Sequence, residues 1–122
     1  MTGFIFVGLG GAVGAMLRYA ISLLPYRGGF PLLTLVTNIC GAVLIGCIAG
    51  VAAEKQVSSN LVLFLKTGVC GGFTTFSTFS LEAYALMEQG HYGQAGSYAL
   101  LSVGLCLAGV FCGMALARGI CR

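Results

Sequence analysis

Long apolar runs separated by brief polar interruptions set the pattern of this chain. No Asp, Glu, Lys or Arg occurs between Gly28 and Ala53 or between Gln89 and Ala117, and each stretch exceeds the ~20 residues that cross the hydrocarbon core of a bilayer. Four spans fit. The first runs from about Gly3 to Leu24 and is stopped by Pro25 and a Gly-Gly loop. The second runs from about Leu32 to Ala53, the third from about Leu61 to Met87, and the fourth from about Ala95 to Ala117, ended by Arg118. The first span begins at once, but it is long and has no basic leader or cleavage site, which marks a retained span and not a signal peptide. Connections are short, so the pattern predicts one all-α transmembrane domain over residues 1–122, with any chemistry in or at the membrane.

The third span carries an internal contradiction. Lys66-Thr67-Gly68-Val69-Cys70-Gly71-Gly72-Phe73-Thr74-Thr75-Phe76-Ser77-Thr78-Phe79-Ser80 is apolar enough to cross, yet adjacent glycines followed by two threonines are a poor recipe for uninterrupted helix. A break near mid-membrane is predicted. Non-helical backbone survives at that depth only where protein or water satisfies its N–H and C=O groups, so the break must face an interior site. Freed carbonyls can hold a hard cation. Phe73, Phe76 and Phe79 are spaced by three and share one face.

Composition agrees with the pattern. Of 122 residues 58% are hydrophobic and only 7% charged, with mean hydropathy +1.00, whereas soluble domains carry about a quarter charged residues. Six cysteines form no C-x-x-C pair and mostly fall inside spans, where they read as packing residues. A dispersed net charge of +3 excludes nucleic acid as a partner. Gly10, Gly14, Gly41, Gly104, Gly109 and Gly113 allow close helix approach. Four such helices make a thin bundle, so an aqueous path needs a second subunit. Lys55, Lys66, Arg118 and Arg122 on one side face Arg18 and Arg27 on the other, a weak bias under the positive-inside rule. Two copies could therefore insert oppositely and pair about an axis in the membrane plane.

Several polar residues are candidates for chemistry. Arg18 lies well inside the first span, where an unpaired arginine is costly; it either attracts anions or serves a structural, interfacial role. Asn38 sits near the middle of the second span, with Thr34 one turn earlier on its face, and its amide offers two donors to an anion or to a neighbouring helix. Tyr98 and Ser102 share a face of the fourth span and could pass a small anion between hydroxyls. Glu82 is the only carboxylate within the spans, about one turn past Phe79, and is placed close to the membrane surface. His91 is the sole histidine and lies in a loop, so no hydrolytic triad or enzyme activity is expected.

Three motifs together resemble the Fluc (CrcB) family of fluoride channels of microbial membranes. They are Gly10-Gly11-x-x-Gly14-Ala15-x-x-Arg18-Tyr19, Thr34-Leu35-x-x-Asn38-x-x-Gly41 and Gly71-Gly72-Phe73-Thr74-Thr75-Phe76-Ser77-Thr78-Phe79-Ser80. The resemblance implies a multi-pass cell (inner) membrane protein, a dual-topology antiparallel homodimer with two pores, and a structural sodium ion at the dimer centre. That ion would be held by the backbone carbonyls of Gly71 and Thr74. Phe76 and Phe79 would present ring edges to fluoride, Asn38 would donate to it, and Ser77, Thr78, Tyr98, Ser102 and Thr34 would form a polar track. Arg18 belongs to the shared motif without an assigned role. Cys106, one turn after Ser102, departs from the pattern, since a thiol donates less strongly than a hydroxyl.

The expected function is passive, fluoride-selective export from the cytoplasm that protects against fluoride. A small proton-coupled multidrug-type exporter is the alternative. It needs a carboxylate deep in the first span, and residues 1–24 contain none.

Overall fold

Inside a bilayer a backbone must close its hydrogen bonds within its own segment, which makes helix the default for each apolar run. The computed structural model describes residues 1–122 and consists of helices and short connections. Helix α1 covers Thr2–Ser22 and α2 covers Leu32–Glu54. The third span is composite: α3 (Ser59–Val62), a π-helical stretch (Leu63–Cys70), α4 (Gly71–Phe73), an extended pair at Thr74 and Thr75, then α5 (Phe76–Glu88). Helix α6 covers Tyr92–Ile120. Four of these units are long and apolar enough to cross a membrane.

Helix ends follow local chemistry. Helix α1 stops at Ser22, short of Leu24, because Leu23 and Leu24 turn their N–H groups to Ala20 and Ile21 in tighter i−3 bonds ahead of Pro25. Helix α5 ends where Gly90 adopts φ +81°, with Gly90 N–H on Met87 O at 3.0 Å and His91 N–H on Leu86 O at 2.8 Å. This is a glycine-terminated Schellman turn, and it sends the chain straight into α6.

Two close-packed pairs make the bundle. Helix α1 lies against the first half of the third span, and α2 lies against α6. The seams are glycine-lined: a Cβ on Gly14 would collide with the Val69 carbonyl, and one on Gly113 with the Val43 carbonyl. Lipid supplies no hydrophobic drive between helices, so this close contact and its dispersion energy hold the pairs together. Gly104 is the exception to the expectation of close approach, since nothing lies within 4 Å of its Cβ direction. A buried apolar cluster, Leu35, Leu86, Ala95 and Tyr98 with Phe30, Ile39 and Phe79 around it, joins α2, α5 and α6 beside the break. Only 18 of 122 residues are buried, so one copy encloses almost no interior.

Gly14→Val is expected to lose at least ~2 kcal/mol through overpacking against backbone, while Gly104→Ala stays within ~0.5 kcal/mol of wild type. Thermal unfolding in detergent distinguishes them, and equal midpoints would contradict the seam.

Candidate functional site

The site grows from the interruption of the third span. Thr74 (φ −85°, ψ 156°) and Thr75 (φ −150°, ψ 115°) are both extended, which suits β-branched residues better than helix does. Thr75 then caps α5: its Oγ1 accepts from Thr78 N–H at 3.1 Å and donates to Thr78 Oγ1 at 2.9 Å. Thr74 turns its own hydroxyl back to Cys70 O at 2.8 Å, and its methyl occupies the space where a side chain on Gly41 would sit.

Two polar side chains from other helices tie the break in place. Asn38 engages a single residue twice: its Oδ1 accepts from Thr75 N–H at 2.9 Å, and its Nδ2 donates to Thr75 O at 3.2 Å. Arg18 comes from α1 and donates from Nε to Gly72 O at 3.1 Å. These bonds redistribute the carbonyls. In an unbroken helix Thr75 N–H would reach Gly71 O and Thr78 N–H would reach Thr74 O, but those amides are held by Asn38 and by Thr75 Oγ1. Gly71 and Thr74 therefore keep carbonyl oxygens without their helical partners. No cluster of three or more His, Cys, Asp or Glu side chains suited to a metal exists. Backbone oxygens of this kind, hard and uncharged, are the donors here that fit a hard cation.

An open cavity of about 790 Å³ lies against this backbone. It brings together Asn38, Phe76, Phe79, Ser102, Gly71 and Thr74. The rings of Phe76 and Phe79 lie 5.4 Å apart, tilted by 44°. Phe76 is 78% exposed, although it stands at the centre of a membrane-spanning unit. Ser102 Oγ is buried with no hydrogen-bond partner, an orphan donor that calls for an explanation. Cys106 lines the same cavity one turn further on.

The remaining candidates fall outside that cavity. Tyr98 is fully buried, wedged against Phe79 at 4.9 Å and edge-on to Phe30 at 5.5 Å between ring centroids. Its hydroxyl donates to Glu82 Oε1 at 3.2 Å, so Glu82 is joined to the aromatic cluster. Thr34 and Glu82 line a second opening on the same helices. Arg18, Thr34 and Thr78 line a third with Thr75. Ser77 is exposed, and its hydroxyl pairs with Thr75 Oγ1 at 3.4 Å. Thr75 is the residue missing from the sequence candidates, and its signal was available as a threonine three positions before a second hydroxyl at the start of a helix.

Residues 5–114 match the family described as CrcB-like protein, Camphor Resistance (CrcB). A protein of Ruegeria sp. (strain TM1040), named fluoride-specific ion channel FluC, is 49% identical over 93% of each chain. Proteins of the same name from Rhodopseudomonas palustris (strain BisB5) and Roseobacter denitrificans are 47% and 43% identical, covering 96% and 98% of this chain and 98% of each relative.

Ser102→Ala removes a buried hydroxyl with no partner, so it is expected to raise stability by up to ~1 kcal/mol. A lower unfolding midpoint for this variant would show that the hydroxyl is bonded in the folded state.

Proposed function

Because the chain belongs to the CrcB-like family, we propose that it is a fluoride-specific ion channel whose conducting unit is two copies inserted in opposite orientations. The observation that carries this is the exposed aromatic face beside a polar break: Phe76 and Phe79 with Asn38 and the orphan Ser102 hydroxyl along one open cavity. A second copy laid on this face would bury Phe76 and close the cavity into a channel wall. The near-balanced distribution of basic residues permits both orientations.

Fluoride is small and strongly hydrated, so a selective path must replace its water with close donors and stay too narrow for chloride. Asn38 uses one amide N–H on Thr75 O and keeps a second for an anion. The edges of Phe76 and Phe79 carry the positive part of the ring quadrupole, so an anion meets them edge-on. Ser102 extends the donors along this cavity, Thr34 and Thr78 offer hydroxyls along a neighbouring opening and Ser77 an exposed one, while Tyr98, its proton on Glu82, shapes the wall beside Phe79. Arg18 sits beside this route with Nε committed to Gly72 O, and its positive charge favours anion entry.

A structural sodium ion at the centre of the pair would be held by the carbonyls of Gly71 and Thr74 of each copy. Bound there, it would lower the cost of bringing an anion into low dielectric. In the cell, fluoride that enters as neutral HF and dissociates in the cytoplasm would leave as the anion, driven by its gradient and the membrane potential. No coupled energy source is required.

Liposomes loaded with fluoride and carrying the purified protein should release it while retaining chloride. Equal release of both anions would end the proposal. Phe76→Ile and Phe79→Ile should each cut fluoride flux by at least about tenfold, a barrier increase of ~1.4 kcal/mol, while the pair stays assembled by size-exclusion chromatography. Exchange of sodium for a large organic cation should lower flux reversibly, and flux unchanged by that exchange would remove sodium from the assembly.

A further inference from the structure

Of the five carbonyls from Gly71 to Thr75, two are closed by side chains from other helices. Gly72 O is taken by Arg18 Nε at 3.1 Å and Thr75 O by Asn38 Nδ2 at 3.2 Å. Gly71 O, Phe73 O and Thr74 O are left; the amides that would reach Gly71 O and Thr74 O in a helix are held by Asn38 Oδ1 at 2.9 Å and Thr75 Oγ1 at 3.1 Å.

We propose that Asn38 and Arg18 are positioning residues that select which backbone carbonyls of the break stay open to a cation. This depends on the reading that sodium sits on Gly71 and Thr74. Asn38 acts twice. Its oxygen withholds the Thr75 amide from Gly71 O, and its nitrogen closes Thr75 O to any ion. The two contacts together imitate a strand pairing with one residue and keep Thr75 extended. A primary amide one carbon from the backbone suits this, since it offers an acceptor and a donor side by side. Arg18 closes Gly72 O and adds a positive charge there, which repels a cation from the Gly72 side and favours the Gly71 and Thr74 oxygens. The glycine seam between α1 and the third span sets this reach: a Cβ on Gly72 would stand 2.5 Å from Gly11 O. Cation site and anion path are thereby linked through one amide, that of Asn38.

Two substitutions of similar size separate selection from mere packing. Asn38→Asp keeps the acceptor for Thr75 N–H, whereas Asn38→Leu keeps the volume and loses both contacts. Sodium affinity of the purified full-length protein is measured with a radioactive sodium tracer, and exchange of the Thr75 amide by hydrogen–deuterium exchange. Asn38→Asp loses only the donor to Thr75 O and should keep the Thr75 amide protected; Thr75 exchanging as fast in Asn38→Asp as in Asn38→Leu would overturn the selection. Asn38→Leu should bind it at least about tenfold more weakly, with Thr75 exchanging faster by a similar factor. If Asn38→Leu does not fold, Arg18→Lys and Arg18→Met replace it, the first keeping a donor for Gly72 O and sodium affinity, the second losing about tenfold in affinity. Wild-type affinity in Asn38→Leu, or in Arg18→Met, overturns the selection and leaves the sodium reading standing. Absence of sodium binding in wild type, with Thr75 still protected by Asn38, overturns the sodium reading and the selection with it.

Discussion

A backbone interrupted inside a bilayer leaves N–H and C=O groups that water cannot reach, and each one left unmet costs several kcal/mol, as a rough figure. The rest of this molecule is arranged around meeting that demand at Thr74 and Thr75. Asn38 from α2, Arg18 from α1 and the hydroxyl of Thr75 each take up one or two of the freed groups. Asn38 and Arg18 come from other helices, and only Thr75 is local to the glycines that weaken the helix. The break is therefore a tertiary feature: sequence weakens the helix, and three elements hold it open.

Such a clamp works only if the helices come close. The α1 seam at Gly10 and Gly14 brings that helix into contact with the backbone of the third span, which places Arg18 one turn above the same surface and within reach of Gly72. The π-helical stretch at Leu63–Cys70 lies in this seam, and wide turns of this kind recur next to functional sites. On the other side, Gly41 leaves room for the methyl of Thr74, so α2 can lie near enough for Asn38 to span both backbone groups of Thr75. Small residues here convert helix packing into hydrogen-bond geometry.

The thin interior of a single copy has a functional meaning. A fluoride channel needs a path that is polar, narrow and dry at its sides, and one bundle with few buried residues cannot surround such a path. The polar and aromatic residues that suit fluoride instead line an open face. That arrangement lets the second copy proposed here complete the path, while each copy keeps its own break intact.

The all-helical membrane class, the number of spans and the existence of a break were legible in the sequence, because hydropathy runs, proline and glycine positions and paired threonines act locally. That Asn38 and the segment Gly71–Phe79 stand out could be read for the same reason: an amide or a glycine pair in an apolar run is anomalous wherever the chain goes. The partners were not legible. That Asn38 spends both ends of its amide on Thr75, that Arg18 reaches Gly72, and that Tyr98 bonds Glu82 across sixteen positions depend on crossing points between helices. Those are set by where glycines let backbones touch, a property of two surfaces together and not of either sequence stretch. Thr75 was read only as one of two helix-weakening threonines, because the partner that fixes its backbone, Asn38, lies on another helix.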